Sequence, residues 1–300
     1  MQKIDVLIIG AGAAGLMCAI HAAKRHRNVV VVDHANKAGK KILMSGGGRC
    51  NFTNLNINPD DYISHNRHFC KSALMRYTQW DFIEMIKQHR IPFHEKTLGQ
   101  LFCDNKSKDI LEMLLFECER AEVIIKLNCS IQFIKKLNDH LFEVSTSEST
   151  FQCESLVIAS GGLSIPTMGA SSLGYKIAEQ FNIKVWPTRA GLVPFTLHQQ
   201  DKNRLAALSG ISVDAIVKNH KKSFRENILF THRGLSGPAV LQISSYWLPG
   251  ETVDINLLPN VNLFEHLKLM QKQFPNKQLK NLLHDFFPKR MLEVFLDGAA

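Results

Sequence analysis

The sequence contains no apolar run long enough to cross a membrane and no pair of cysteines in Cys-x-x-Cys spacing. Its seven cysteines are odd in number and scattered along 300 residues, which is typical of reduced thiols in a cytosolic protein rather than of a disulfide framework. The histidines are equally scattered and lack the spacing of zinc ligands. These absences predict a cytoplasmic protein with no metal site and no membrane partner.

Positive charge is in excess, but it is not concentrated in one region. The net charge is +9 and the pI about 9.2, values that admit phosphates, other acidic ligands or nucleic acid. The basic side chains are spread along the chain, with only short clusters such as residues 218–222, and no aromatic RNA-binding motif is present. We therefore expect nucleic acid to be an unlikely partner. The composition leaves the oligomeric state open.

The most informative stretch is the N-terminal one, residues 4–33. A short apolar run of β type, Ile4–Ile9, leads into a Gly-x-Gly-x-x-Gly turn at residues 10–15, and an alanine-rich helical segment follows. A second apolar run, Val29–Val32, then ends in Asp33. A strand, a glycine turn, a helix, a second strand and a terminal acid are the parts of a dinucleotide-binding βαβ unit. The alternative is a plain βαβ unit with a glycine-rich turn.

Each glycine of this turn has a separate predicted role. Gly10 makes the tight turn, Gly12 lets the backbone approach a pyrophosphate, and Gly15 lets the helix pack closely on the strand. The helix start offers free N–H groups and a positive dipole end to the phosphates. Asp33 can accept hydrogen bonds from the adenosine ribose. Because a carboxylate would repel a 2′-phosphate, the expected ligand at this turn is FAD or NAD rather than NADP.

The rest of the first domain alternates helices and strands. Residues 34–54 are predicted to form a loop that contains three successive glycines. Apolar spacing predicts helices near residues 69–77, 81–89, 107–120 and 175–181, antiparallel strands near 131–134, 141–144 and 151–153, and a buried strand at 154–159. That last strand ends in a second glycine turn at residues 160–162.

The pattern of residues 189–300 predicts a separate α+β insert domain, so we place the domain boundary between residues 188 and 189. Strands are expected near 192–197, 211–218, 223–230 and 252–257, and helices near 238–247, 262–273, 278–283 and 289–297.

Several longer motifs resemble those of one protein family. They are the start IIGAGAAGL, the loop KILMSGGGRCNFTN, the stretch LVIASGGLSIPTMGASSLGYKIAEQ and the later FTHRGLSGP. They are similar to motifs of the BaiN/RdsA-type bacterial NAD(P)/FAD-dependent oxidoreductases, which are two-dinucleotide-binding-domain flavoproteins like glutathione reductase in fold. The resemblance covers nearly the whole chain. It implies an α/β fold, with an FAD-binding Rossmann-like domain built on a parallel sheet plus an α+β insert domain.

The resemblance also implies which residues contact FAD, although it assigns no catalytic acid or base. They are Gly10, Gly12, Ala14 and Gly15 at the pyrophosphate, Asp33 and His34 at the adenosine ribose, Lys41, Ser45, Gly46, Gly47, Arg49 and Asn51 along the cofactor toward its ring, Ile131 against the adenine, and Ala159, Ser160, Gly161 and Gly162 closing over the cofactor from the other side.

The implied activity is hydride transfer between FAD and either NAD(P)H or a small organic substrate. Only one glycine fingerprint is visible, so NAD(P)H as electron donor would have to reach the flavin through another surface. Family members also carry a final strand and a helix facing the flavin that this sequence lacks, and we expect a C-terminally shortened member. Three alternatives stay open: a flavin-binding protein without turnover, an FAD enzyme acting on RNA, and a plain NAD dehydrogenase.

Overall fold

The structure, a computed structural model, describes residues 1–296. The chain divides into two compact units, of which the first is Met1–Trp186 and the second begins at Pro187. The final helix predicted at residues 289–297 runs over Lys289–Leu296, and Asp297 and the three residues after it lie outside the described residues. The boundary between residues 188 and 189 stays a prediction about domains.

The first unit contains nine strands and six α-helices. The strands are β1 Gln2–Ile9, β2 Val29–Val32, β3 Asn51–Asn54, β4 Phe93–Glu95, β5 Gln100–Cys103, β6 Ile124–Lys126, β7 Ile131–Asn138, β8 Leu141–Thr146 and β9 Thr150–Ile158, and the helices are α1 Ala13–Ala23, α2 Lys40–Met44, α3 Lys71–Arg76, α4 Gln79–Gln88, α5 Ser107–Arg120 and α6 Leu173–Gln180.

A six-stranded sheet in the order β6-β2-β1-β9-β8-β7 forms the centre of this unit. Strands β6, β2, β1 and β9 are parallel, and β8 and β7 extend the sheet as an antiparallel hairpin. Successive side chains of a strand point to opposite faces. Ile8 packs in a core with α1 and α5, whereas Leu7 packs in a second core with Ile177 of α6. Because both faces are covered, the central strands are continuous apolar runs.

Strand β9 is one continuous strand where the sequence predicted two, at residues 151–153 and 154–159. Its first residues pair antiparallel with β8 on one side, and it pairs parallel with β1 along nearly its whole length on the other. Glu154 interrupts the apolar pattern because it is exposed, although the backbone pairing continues through it. The antiparallel hairpin and the parallel sheet therefore belong to a single sheet.

Residues 34–54 are more ordered than the predicted loop. They contain α2, a short 3₁₀ turn at Ser45–Gly48 and strand β3. Strand β3 pairs with β5, and β5 pairs with β4, in a small antiparallel sheet. The sequence did not indicate this sheet, since its strands have only three or four residues each and β3 lies far from its partner along the chain.

The second unit is α+β, and the prediction of a strand-rich part followed by helices is confirmed. Its strands are β10 Phe195–Thr196, β11 Ser212–Lys218, β12 Ser223–Thr231, β13 Gly234–Ser236 and β14 Asp254–Asn256, and its helices are α7 Gln199–Leu205, α8 Pro238–Ser244, α9 Leu263–Gln273, α10 Leu279–Leu282 and α11 Lys289–Leu296. The strands form one antiparallel sheet in the order β10-β13-β12-β11-β14. Ile243 of α8 and Met291 of α11 are fully buried in the same core as Ile228 of β12. Among residues 1–296, no helix has the length and apolar character needed to span a membrane.

Candidate functional site

The turn between β1 and α1 has the close packing that the glycine pattern predicts. Gly10 has a φ of +115°, and a Cβ there would lie 2.3 Å from the Ala159 carbonyl oxygen. A Cβ on Gly15 would lie 1.8 Å from the Gly10 carbonyl oxygen. Neither distance leaves room for a side chain, so both glycines are required by the fold itself. The end of β9 and the start of α1 are thereby held against the same turn.

Gly12 differs from these two glycines because it faces open space. A Cβ placed on it would meet no heavy atom within 4 Å, and its φ of −89° is accessible to any residue. Gly12 is the N-cap of α1; no side chain caps this helix among the described residues, and its first turn carries no acid. The uncapped N–H groups and the helix dipole therefore favour an anion beside Gly12.

Asp33 follows β2 and is tied to the glycine turn. One oxygen of its carboxylate accepts a hydrogen bond from the Ala11 N–H at 2.7 Å, and the other accepts one from the Ala35 N–H at 2.8 Å. His34 Nδ1 lies 3.5 Å from the same carboxylate. A carboxylate has about four acceptor positions, so two remain for a ligand. The side chain is 16% exposed, which leaves a ligand access to it.

These elements surround one cavity of about 470 Å³, within the size range of cofactor sites. It is lined entirely by residues of the first unit. The predicted site residues that line it are Gly10, Gly12, Ala14, Asp33, His34, Lys41, Ser45, Asn51, Ala159, Ser160 and Gly161. Eleven of the seventeen predicted contacts thus meet around a single volume, at the carboxyl ends of the parallel strands.

Lys41 connects the two sides of this cavity. Its ammonium group lies 3.4 Å from the Gly162 carbonyl oxygen and 3.3 Å from Ser164 Oγ, so α2 reaches the loop after β9. Lys37 and Lys40 also line the cavity, and Asp33 is its single carboxylate among the described residues. Since the Asp33 oxygens already accept two N–H groups, the lysines make the cavity electrostatically suited to a diphosphate.

The other six predicted residues lie outside the cavity lining. They are Gly15, Gly46, Gly47, Arg49, Ile131 and Gly162. Gly15 packs against the Gly10 carbonyl of the turn, and the Gly162 carbonyl oxygen accepts a hydrogen bond from the Lys41 ammonium group. Arg49 is exposed and Ile131 packs in the apolar core beside α6. Ile131 comes two residues after Cys129, whose N–H donates to the Asp33 carbonyl at 2.8 Å, so its strand starts near the expected ribose position.

The glycine-rich loop directs Cys50 rather than Arg49 to the cavity. Gly46 and Gly47 have φ values of +57° and +67°, and Cys50 itself is left-handed at +49°. Burial raises the pKa of the Cys50 thiol, and a hydrogen bond with Ser45 offsets part of that rise. The thiol is therefore protonated at neutral pH, unlike the thiolate of a reactive cysteine. The Asn51 amide group is used locally, since its nitrogen lies 3.2 Å from the Thr53 and Leu101 carbonyl oxygens in its hydrogen-bonding orientation.

Sequence reasoning missed two groups of lining residues. The first group is apolar and lies on α1, β3, α4 and α5; the second lies in the loop between β9 and α6 and at the first residue of α6. They are Met17, Phe52, Phe82, Ile110 and Leu114, and Met168, Gly169, Ser171 and Leu173. The apolar residues carry no signal that separates a cavity wall from a core. The loop does carry a sequence signal, which is the glycine at position 169. Its backbone is left-handed at +79°, and a Cβ there would lie 3.0 Å from His34 Nε2.

These observations fit FAD. The open space above Gly12, the uncapped helix and the lysines suit a pyrophosphate, and the free acceptor positions of Asp33 suit ribose hydroxyls. The fold and the site together define an α/β dinucleotide-binding protein.

The comparisons with known proteins identify the family. Residues 4–232 match the HI0933-like protein Rossmann domain, and residues 189–300 match the HI0933-like protein barrel and H2TH domain. The chain therefore belongs to the HI0933-like family, whose relatives are FAD-dependent oxidoreductases.

Three relatives span nearly the whole chain. A ribosomal RNA dihydrouridine synthase of Escherichia coli is 54% identical over 98% of this chain and 73% of its own length. A protein of the same name from Haemophilus influenzae is 50% identical over 99% of this chain and 75% of its own length. A 3-dehydro-bile acid delta(4,6)-reductase of Clostridium scindens is 25% identical over 97% of this chain and 74% of its own length.

The first two relatives contradict one expectation from the sequence. We predicted that nucleic acid is an unlikely partner, yet two proteins identical at half or more of the aligned positions are named for action on ribosomal RNA. That prediction is wrong. It failed because the basic residues are spread along the chain and belong to no known RNA-binding motif.

Proposed function

We propose that this protein is an FAD-dependent enzyme that reduces uridine in ribosomal RNA to dihydrouridine. The proposal rests on its 54% and 50% identity, over at least 98% of the chain, with two ribosomal RNA dihydrouridine synthases. The cavity beside Gly12, Asp33 and Lys41 supports the FAD part of the proposal. A cytoplasmic location, expected from the dispersed cysteines, agrees with such a substrate.

The residues of the cavity would hold the cofactor. Gly12 and the start of α1 would contact the pyrophosphate, Asp33 the ribose, and Lys41 the phosphate charge, while the placement of Ser45 and Arg49 along the cofactor stays a prediction. FAD, when bound, supplies hydride-transfer chemistry. In the net reaction the uracil C5–C6 double bond gains a hydride and a proton. The proposed donor, NAD(P)H, loses that hydride and becomes NAD(P)⁺.

The relative that reduces a bile acid favours a second candidate function. Uracil and a 3-oxo-Δ4,6 steroid both have a carbon–carbon double bond conjugated to a carbonyl group, so one type of flavin site could serve either substrate. The lower identity of 25% makes a small conjugated ketone the weaker candidate.

Reconstitution tests the proposal directly. The purified protein, loaded with FAD, is incubated without oxygen with NADPH or NADH and with ribosomal RNA from cells that lack this gene. The RNA is then digested to nucleosides and dihydrouridine is measured by mass spectrometry. Omission of FAD and a Gly12→Ala variant are the controls. We expect dihydrouridine to form only when FAD, a nicotinamide donor and RNA are all present.

Two results would contradict the proposal. One is full reduction of the bound flavin by NAD(P)H with no dihydrouridine in the RNA. The other is reduction of a conjugated cyclic enone under conditions in which the RNA stays unchanged, which would favour the second candidate.

A further inference from the structure

Three side chains of the first unit form an exposed stack, which we call the aromatic platform: His65, Trp186 and Lys184. The His65 and Trp186 rings are nearly parallel, with 3.9 Å between centroids and 4° between planes. Lys184 Nζ lies 3.8 Å from the centroid of the Trp186 ring. Two groups cannot both lie within 4 Å on one face of a ring, so Lys184 and His65 occupy opposite faces. The outer face of His65, which is exposed, is therefore the free face of the stack.

The segment that carries His65 also exposes apolar side chains. Phe69 is 79% exposed, Met75 is 81% exposed and Trp80 is 57% exposed. Phe69 follows His65 in a turn in which the Phe69 N–H donates to the Asn66 carbonyl. Single exposed apolar residues are ordinary, but here three large ones fall within one segment of the chain.

The same segment carries positive charge only. Residues 62–80 contain Arg67, Lys71 and Arg76, together with His65 and His68, and no acidic residue. The acids at its two ends serve local structure, because Asp61 accepts from the Asn58 N–H and Asp81 from the Thr78 N–H. Asp60 lies 3.8 Å from Arg67, which nevertheless stays 72% exposed. The segment therefore carries cations and exposed aromatic side chains along one stretch of the chain.

We infer that the aromatic platform and residues 62–80 bind unpaired nucleotides of the RNA substrate. Aromatic faces stack on bases, and exposed arginines and lysines neutralise phosphates, which is the combination used for single-stranded nucleic acid. A second copy of the chain fits this surface poorly, because a twofold contact would bring like charges together. The inference rests on the proposed function, since it names where that substrate contacts the protein.

Binding to a short fluorescein-labelled oligouridylate, followed by fluorescence anisotropy, tests the inference on the full chain. A His65→Ala/Trp186→Ala double variant removes both rings. We expect it to bind the oligouridylate about tenfold more weakly, since stacking contributes on this scale per base. Phe133→Ala is the matched control, because Phe133 is 51% exposed against 48% for Trp186 and lies on β7. Its binding should equal that of the wild type.

Two further variants keep the test independent of folding defects. Trp186→Phe, with His65 intact, keeps an aromatic ring behind His65 and should bind the oligouridylate almost as tightly as the wild type. Arg67→Ala should leave the stack intact and lower the dependence of log affinity on log salt by about 0.7, the value for one single-strand phosphate contact. The FAD content of each variant reports that its first unit is folded.

The outcomes separate this inference from the proposed function. A wild-type protein that forms dihydrouridine in ribosomal RNA, with a double variant that matches it in RNA affinity and KM, overturns the inference alone. A wild type that forms no dihydrouridine and binds no RNA overturns the proposed function and the inference together. A double variant that keeps its FAD and its NAD(P)H oxidation but has a raised KM for RNA supports the inference.

Discussion

Replacing Gly12 by alanine should separate cofactor binding from folding. Gly12 has an extended backbone that alanine adopts freely, and a methyl group there would meet no protein atom within 4 Å. The methyl group would instead project into the cavity, where the pyrophosphate is expected. We therefore predict that Gly12→Ala folds normally and binds FAD at least about tenfold more weakly, a loss of about 1.4 kcal/mol.

Two opposing contributions set the effect of this change on stability. Replacing glycine stabilises by about 0.4–1 kcal/mol, since the unfolded chain loses freedom. Alanine is less favourable than glycine at a helix N-cap, by a few tenths to about 1 kcal/mol. The free energy of unfolding of the cofactor-free protein should therefore change by less than about 1 kcal/mol, which corresponds to at most about 4 °C in melting temperature.

Gly15→Ala is the matched comparison, because it makes the same chemical change three residues away. Its methyl group would lie 1.8 Å from the Gly10 carbonyl oxygen, so the backbone must move at a cost of about 3 kcal/mol or more. Thermal unfolding and FAD titration of both variants give the test. If Gly12→Ala kept wild-type affinity for FAD, the assignment of the pyrophosphate to Gly12 would be refuted.

Three further predictions follow from the polar contacts of the first unit. Asp33→Asn places an amide N–H₂ against the N–H of Ala11 or Ala35, and it should lower the free energy of unfolding by about 1.5–3 kcal/mol even without FAD. Asp5→Asn is the control, because the Asp5 carboxylate accepts a single exposed N–H; it should lower the free energy of unfolding by less and leave FAD affinity unchanged in titrations. Lys41→Ala removes the contacts to Gly162 and Ser164; FAD titration should show several-fold weaker binding, and urea unfolding a stability change below about 0.5 kcal/mol. Glu117 is buried and accepts from Lys24 at 2.7 Å, which with further contacts lowers the pKa of its carboxyl. A carboxyl whose pKa is lowered in the folded state adds stability above its ordinary pKa of about 4.3, and this contribution is lost as the pH falls through the folded-state pKa. Glu117→Gln should therefore lower the free energy of unfolding by about 1–3 kcal/mol at pH 7, the difference from the wild type in urea unfolding should shrink below about pH 4, and an undiminished difference there would contradict the ionic role.

Sequence reasoning succeeded where neighbouring residues determine the structure. The sequence predicts β1, the glycine turn, α1, β2 and Asp33 because their spacing and composition are local, and α5 has the bounds predicted from its apolar pattern. It could not predict the small sheet of β3, β5 and β4, because its strands are short and the pairing of β3 with β5 joins residues about fifty positions apart. It also divided β9 in two, because an exposed glutamate resembles a break when the pairing partners are unknown.

The candidate site shows the same limit at the level of single residues. The sequence indicates that the glycine-rich loop approaches the cavity, but the left-handed residues in that loop decide which side chain faces inward. Cys50 lines the cavity and Arg49 does not, a result of backbone angles that no residue pattern specifies. The apolar wall that includes Met17 and Phe82 was missed because cavity walls and cores have the same composition.

The most direct test of the cofactor assignment is a titration of the cofactor-free protein with FAD, followed by its visible absorption spectrum. We predict saturable binding of one FAD per chain, with a shifted and resolved flavin band, weakened by Gly12→Ala and not displaced by excess NAD. A spectrum that stays that of free FAD at saturating protein, or displacement of FAD by NAD, would contradict the assignment of this cavity to FAD.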